Sequence, residues 1–141
     1  MAGIYEEIRD IRVEEGKIVE IAKDIDPERY KDAKIIDANN NLVTPGIVEP
    51  HSEMGVREQI YRHEGNDSNE VTDPILPQLR AIDAINPTDE GIRVARESGV
   101  TTVVAGPGDS NLIGGTFAAF KTYGSTIDQM VIEDEIAFKV S

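Results

Sequence analysis

The first third of the chain alternates apolar and polar residues over short stretches that turn residues separate. Apolar residues recur every second or third position over 8–13 and 17–21, and Gly16 can take the positive φ of a tight turn. Two further stretches, 34–38 and 42–44, have the same character. The pattern predicts a β-hairpin and two more short strands, with a loop or one helical turn at 24–32.

From residue 47 onward the pattern alternates between helix and strand. Asp89 or the preceding threonine can cap a helix whose apolar stripe runs over 92–98, and Gly99 can end it. The β-branched run 100–105 is typical of a strand buried on both faces. Helix, glycine and buried strand in this order predict a βαβ unit of a parallel sheet. Later segments of mixed character predict strands at 116–123, 130–132 and 136–140, with a helical turn at 125–128.

Composition and charge narrow the class of protein. The 141 residues include 27 acidic and 14 basic side chains, giving a net charge of −13, which repels nucleic acid and anionic membrane surfaces. The sequence has no apolar run of about 20 residues and no basic, apolar secretory start. With no cysteine, the chain fits a reducing compartment. We therefore expect a soluble cytoplasmic protein with a small-molecule substrate, if it is active.

One segment carries the candidate chemistry. An apolar Pro-Gly stretch leads into His51, and Glu53 follows two residues later. Residues two apart on a strand point to the same face, so the two side chains could grip one divalent ion. The segment resembles the amidohydrolase superfamily signature, in which an apolar Pro-Gly strand runs into Asp-Ala-His-x-His. Here Glu53 stands at the second histidine position, and Glu49-Pro50 replaces Asp-Ala.

The resemblance continues along the chain in the order that the family has it. It is strongest with bacterial amidohydrolases related to imidazolonepropionase, and it runs from about Gly16 to the C-terminus. An ordered series of matches is far more specific than a single histidine motif. The matching segments are 64–74, 81–87, 99–103, 106–115 and 121–124.

The resemblance implies a fold and an activity. Residues 1–46 would be N-terminal β-strands of a composite β-sandwich, and residues 47–141 the first strands and helix of an incomplete (β/α)8 barrel, which needs about 250 residues. The activity would be metal-dependent hydrolysis of C–N bonds in cyclic amides or N-acyl compounds. The metal, zinc by resemblance, would be held by His51 and Glu53. Further family ligands and the catalytic aspartate would lie beyond Ser141, so no catalytic residue is assigned and the chain alone is expected to bind zinc weakly or not at all.

Each candidate residue has a plainer interpretation. Glu53 could be a solvated glutamate at a strand end, and His63 fits an exposed loop histidine. Lys139, and less so Lys121, could become a carboxylated metal-bridging lysine, but a lysine at a strand end needs no function. The acidic residues of 64–73 lack the spacing of a calcium loop and could form stabilising turns or contact substrate.

Three alternatives for the whole chain stay open. It could be an excerpt or truncated form of a hydrolase, a degenerate paralogue acting as a binding or structural module, or one half of a split enzyme. An incomplete barrel has unpaired strand edges. We therefore expect self-association or a complementing chain.

Overall fold

The structure is a computed structural model that describes residues 7–60 and 63–141. The chain divides into two compact units, Met1–Thr44 and Pro45–Ser141. We call them the first and second units. Their assignment to a β-sandwich and a barrel stays a prediction. Among the described residues, no helix has the length and apolar character needed to cross a membrane.

The first unit contains the predicted hairpin. Strand β1 (Asp10–Glu14) pairs with β2 (Lys17–Ala22) in an antiparallel ladder. Glu15 and Gly16 connect them with φ values of 48° and 73°. Two consecutive positive φ values match the twist of a hairpin, which explains a glycine at this position. The hairpin prediction is confirmed.

After the hairpin, the first unit is mostly irregular. A 3₁₀ turn spans Pro27–Arg29, as the loop or helical turn predicted for 24–32 allows. The strands predicted at 34–38 and 42–44 are wrong, because neither segment pairs with another strand in the described residues. Their aliphatic side chains, Ile35, Ile36, Leu42 and Val43, are exposed. A segment of alternating apolar and polar residues forms a strand only when a neighbouring strand pairs with its backbone N–H and C=O groups.

The second unit is a mixed α/β fold around a four-stranded sheet in the order β3-β4-β5-β6. Strands β3 and β4 are parallel with helix α1 between them, which confirms the βαβ prediction. The pairs β4–β5 and β5–β6 are antiparallel, so the expected parallel sheet holds for one pair only. The bounds are β3 Ile47–Ser52, α1 Glu90–Glu97, β4 Val100–Ala105, β5 Ile113–Lys121, α2 Ile127–Met130 and β6 Val131–Val140.

The core of the second unit lies between the sheet and helix α1. Ile92, Val103, Phe120 and Met130 are fully buried there. Strand β4 is only partly covered, because Thr101 is exposed, so the prediction of burial on both faces is wrong. The helix begins after its Asp89 cap and ends before Gly99, as its capping residues predict.

Candidate functional site

His51 lies at the carboxyl end of β3, where the strand departs from regular pairing. The register with β4 shifts between Glu49 and Ser52. Pro50 cannot donate to a strand ladder, and the His51 N–H instead donates to the Glu49 carboxylate at 3.1 Å. The imidazole packs against Phe117 with ring centroids 5.3 Å apart. The Glu49-Pro50 sequence therefore interrupts the regular strand pairing next to His51.

Glu53 lies one residue beyond β3 and begins a turn. Its carbonyl oxygen accepts hydrogen bonds from the backbone N–H groups of Val56 and Arg57, at 3.1 and 2.8 Å. The turn brings the Arg57 guanidinium back to the Glu53 carboxylate, with Nη1 and Oε2 3.8 Å apart. Residues two apart point to the same face only within a strand, and β3 ends at Ser52. The rule therefore does not place Glu53 on the face of His51.

The two residues share an open cleft at this end of β3. The cleft has a volume of about 430 Å³. Asp89, only 4% exposed, forms part of its wall and accepts from the N–H groups of Gly91 and Gln59 through Oδ1. The cleft therefore combines an imidazole, carboxylates, a guanidinium and an amide. Its lining residues are His51, Ser52, Glu53, Met54, Arg57, Gln59, Asp89 and Gly91.

Two loops near the cleft are joined by asparagine side chains. The buried Asn111 donates through Nδ2 to the carbonyl oxygens of Glu70 and Asp73, at 2.7 and 3.0 Å. Asn69 accepts from the Ser110 N–H at 2.9 Å. The polar segment 64–73 is thus an ordered connection, which supports its interpretation as stabilising turns.

Gly108 brings this loop pair against Glu53. A Cβ atom on Gly108 would lie 3.0 Å from Glu53 Oε1 and 2.7 Å from Asn69 Nδ2. Both distances are too short for ordinary packing, so a larger residue would displace one of the two side chains. The absence of a side chain at Gly108 therefore allows this close approach.

Lys139 is engaged in an ion pair. Its side chain is 12% exposed, and its Nζ donates to the Asp109 carboxylate. That hydrogen bond, then the charge of Lys139 and more weakly the charge of His51, lower the pKa of Asp109 below its usual range. Of the other candidates, Lys121 donates to Thr102 Oγ1 at 2.9 Å, and His63 is exposed in a turn.

Replacing Lys139 with methionine should raise the pKa of Asp109 toward its ordinary value, because the substitution removes the cation and keeps the aliphatic stem. A folded pKa below the unfolded one stabilises the protein above the unfolded pKa, and this contribution is lost as pH falls through the folded pKa. An NMR titration of the carboxyl carbons measures the shift. Lys121→Met should leave Asp109 unchanged, and an unaltered Asp109 titration in Lys139→Met would contradict the assignment.

The number of available ligand side chains decides whether these residues fit a metal ion. Across residues 7–60 and 63–141, no three His, Cys, Asp or Glu side chains converge as a metal-binding group. His51 and Glu53 reach the same cleft, but Glu53 is engaged by Arg57. One imidazole and one paired carboxylate do not complete a zinc site, which takes three or four protein ligands. The described residues therefore do not fit the metal, and the ligand assignment stays a prediction.

The sequence did not single out three of the residues that line the cleft. Arg57 and Gln59 lie in the polar segment after His51, and the sequence marks Asp89 only as a helix cap. Glu53 and Arg57 are four residues apart, but that spacing predicts an ion pair only on a helix, and residues 53–57 form a turn. For Asp89 and Gln59 the sequence gives no signal, because 30 residues separate them.

Comparison with known proteins gives consistent matches. No family model matches the chain. The amidohydrolase tasK of Hapsidospora irregularis is 37% identical over 107 residues, covering 75% of this chain and 11% of that protein. A dihydroorotase of Anaeromyxobacter dehalogenans is 36% identical over 61 residues, 43% of this chain and 14% of that protein. The chain thus spans a small fraction of the curated relatives it matches.

A solved structure matches nearly the whole chain. The crystal structure of an amidohydrolase from Thermotoga maritima MSB8 superposes with a TM-score of 0.84 at 32% sequence identity. The match covers 92% of this chain and 33% of that one. The similarity is therefore one of sequence and of fold. These relatives are named amidohydrolase and dihydroorotase, not imidazolonepropionase, so that finer resemblance stays a prediction.

Proposed function

We propose that this chain, whose relatives support a partial, N-terminal match to the amidohydrolase superfamily, forms part of the site of a hydrolase. The hydrolase would act on C–N bonds in cyclic amides or N-acyl compounds. The observation that carries the proposal is the cleft at the end of β3, which collects His51, Glu53 and Arg57. Parallel α/β units place their reactive groups at the carboxyl ends of strands.

The cleft offers groups suited to amide hydrolysis. The reaction needs an acceptor for a proton from water, a donor to the leaving nitrogen and stabilisation of the carbonyl oxygen. His51 and Glu53 can exchange protons, and Arg57 can donate hydrogen bonds to an oxyanion. Amidohydrolases generally also use a divalent metal, but the donor set of the described residues does not fit one, so no step is assigned to it.

The remaining family features belong to the same proposal. The first unit would be part of a β-sandwich and the second the beginning of a barrel. The edges of the four-stranded sheet, β3 and β6, would be covered by further strands, a complementing chain or a second copy. The lack of cysteine supports a cytoplasmic location.

Residues 1–141 alone should not hydrolyse a panel of imides, lactams and N-acyl amino acids, with or without added zinc, because the site is incomplete. If the reading frame continues beyond Ser141, the longer protein should hydrolyse at least one of these compounds. His51→Ala in that protein should lower kcat/KM by about 100-fold or more, the usual effect of losing a proton-transfer group. Exposed His63 provides the control, since His63→Ala should leave kcat/KM unchanged. Turnover that is insensitive to His51→Ala would overturn the proposal.

A second candidate is a degenerate paralogue that binds ligands without turnover. Two features favour this candidate. Glu53 replaces the family's second histidine, and Glu53 is paired with Arg57. In that case the same compounds would raise the melting temperature of the chain and none would be hydrolysed. A stop codon directly after Ser141 would also favour this candidate or a split enzyme.

A further inference from the structure

A positive charge lies beside Glu53, the residue that stands at the second histidine position of the resemblance. Arg57 Nη1 lies 3.8 Å from Glu53 Oε2, and both residues line the cleft with His51. The pair is held by the backbone as well, because the Arg57 N–H donates to the Glu53 carbonyl oxygen at 2.8 Å. The turn after β3 therefore keeps the Arg57 backbone next to Glu53, and from there the exposed guanidinium reaches the carboxylate.

The other side of the Glu53 carboxylate is occupied too. Oε1 faces the backbone of Gly108 so closely that a Cβ atom there would lie 3.0 Å away. Asn69 lies against the same glycine and is fixed by the Ser110 N–H. Glu53 therefore has an arginine near one carboxylate oxygen and a tightly packed loop near the other. A metal ion binding between His51 and Glu53 would meet the positive charge of this guanidinium.

The charge of Arg57 also opposes the binding of a divalent cation beside Glu53. A cation 4 Å from a carboxylate neutralises much of its attraction for a second cation, and it also repels that cation directly. We infer that Arg57 is the resident counter-charge of this strand-end site: it neutralises Glu53 and keeps a divalent cation from binding between His51 and Glu53. The inference concerns metal binding by this chain and is independent of the proposed hydrolysis.

Cobalt(II) titration of residues 1–141, followed by NMR at the His51 and Glu53 amide signals, tests this inference. Local signals exclude the nonspecific binding expected of a chain with net charge −13. Arg57→Gln should bind cobalt at these signals about tenfold more tightly than the unmodified chain. Arg57→Lys keeps the cation and should bind no more tightly than the unmodified chain.

Two further variants make the result specific. Arg80 pairs with Asp83 and Asp134 outside the cleft, so Arg80→Gln removes the same unit charge and should leave cobalt affinity unchanged. Adding His51→Ala to Arg57→Gln should abolish the gain. The inference is overturned if the unmodified chain and Arg57→Gln bind equally, if Arg80→Gln gives the same gain, or if the gain survives His51→Ala. Circular dichroism confirms that each variant is folded; Arg57 and Arg80 are exposed, so these substitutions should not prevent folding.

Discussion

Replacing Phe120 with alanine should lower the free energy of unfolding of the second unit by about 3–5 kcal/mol, the usual cost of emptying a buried aromatic site. Phe120 is 0% exposed and belongs to the cluster that joins the sheet to helix α1. Small domains are stable by only about 5–15 kcal/mol. This single change should therefore remove a large share of the stability, and urea denaturation followed by circular dichroism measures it.

Phe138 on the neighbouring strand β6 provides the matched control. It is 48% exposed, so Phe138→Ala should cost far less, about 1 kcal/mol or below. If Phe120→Ala is already unfolded without urea, Phe120→Leu gives a smaller loss that can still be measured. Equal denaturation midpoints for Phe120→Ala and Phe138→Ala would mean that the core has been placed incorrectly.

The second large effect is expected at Gly115 in strand β5. Its φ is +101°, and a Cβ atom would lie 2.2 Å from the carbonyl oxygen of Leu79. That oxygen cannot move freely, because it accepts the Thr116 N–H at 2.9 Å. Gly115→Ala therefore combines an unfavourable backbone conformation with a clash against backbone. We expect a loss of about 3 kcal/mol or more in the free energy of unfolding.

A substitution at Gly99 separates the cost of the backbone conformation from the cost of the clash. Its φ is +94°, close to that of Gly115, but a Cβ atom there would have nothing within 4 Å. Gly99→Ala should cost only the backbone strain, about 1–2 kcal/mol. The difference between the two variants, read from urea denaturation, gives the cost of the clash. A difference near zero would show that segment 79–80 moves away from β5 at no cost.

Much of the local structure followed from the sequence because its causes are local. The hairpin turn at Gly16 and the helix bounded by Asp89 and Gly99 depend on backbone preferences and caps within a few residues. Strand β4 followed from its β-branched run. The two segments wrongly predicted as strands, 34–38 and 42–44, are also rich in apolar residues. They failed because a strand needs a partner, and the sequence pattern does not say whether one is present.

Part of the site could also be predicted, because some of its features depend on local sequence. The Pro-Gly stretch and His51 marked the strand and the residue at its end, and the ordered motifs indicated the superfamily, which the comparisons support. The expectation that Glu53 would share the face of His51 assumed that the strand continues. It ends at Ser52, where Glu53 begins a turn.

The sequence by itself determined the hairpin, the βαβ unit, the capped helix, the strong negative charge and the resemblance to amidohydrolases, because these depend on neighbouring residues or on ordered motifs. Only the tertiary structure decided the antiparallel course of β5 and β6, the pairing of Arg57 with Glu53, the engagement of Lys139 by Asp109 and the approach of Gly108 to the cleft. Each of these depends on where a turn directs a side chain or on contact between segments far apart in the chain. The periodicity of a sequence carries no information about such contacts.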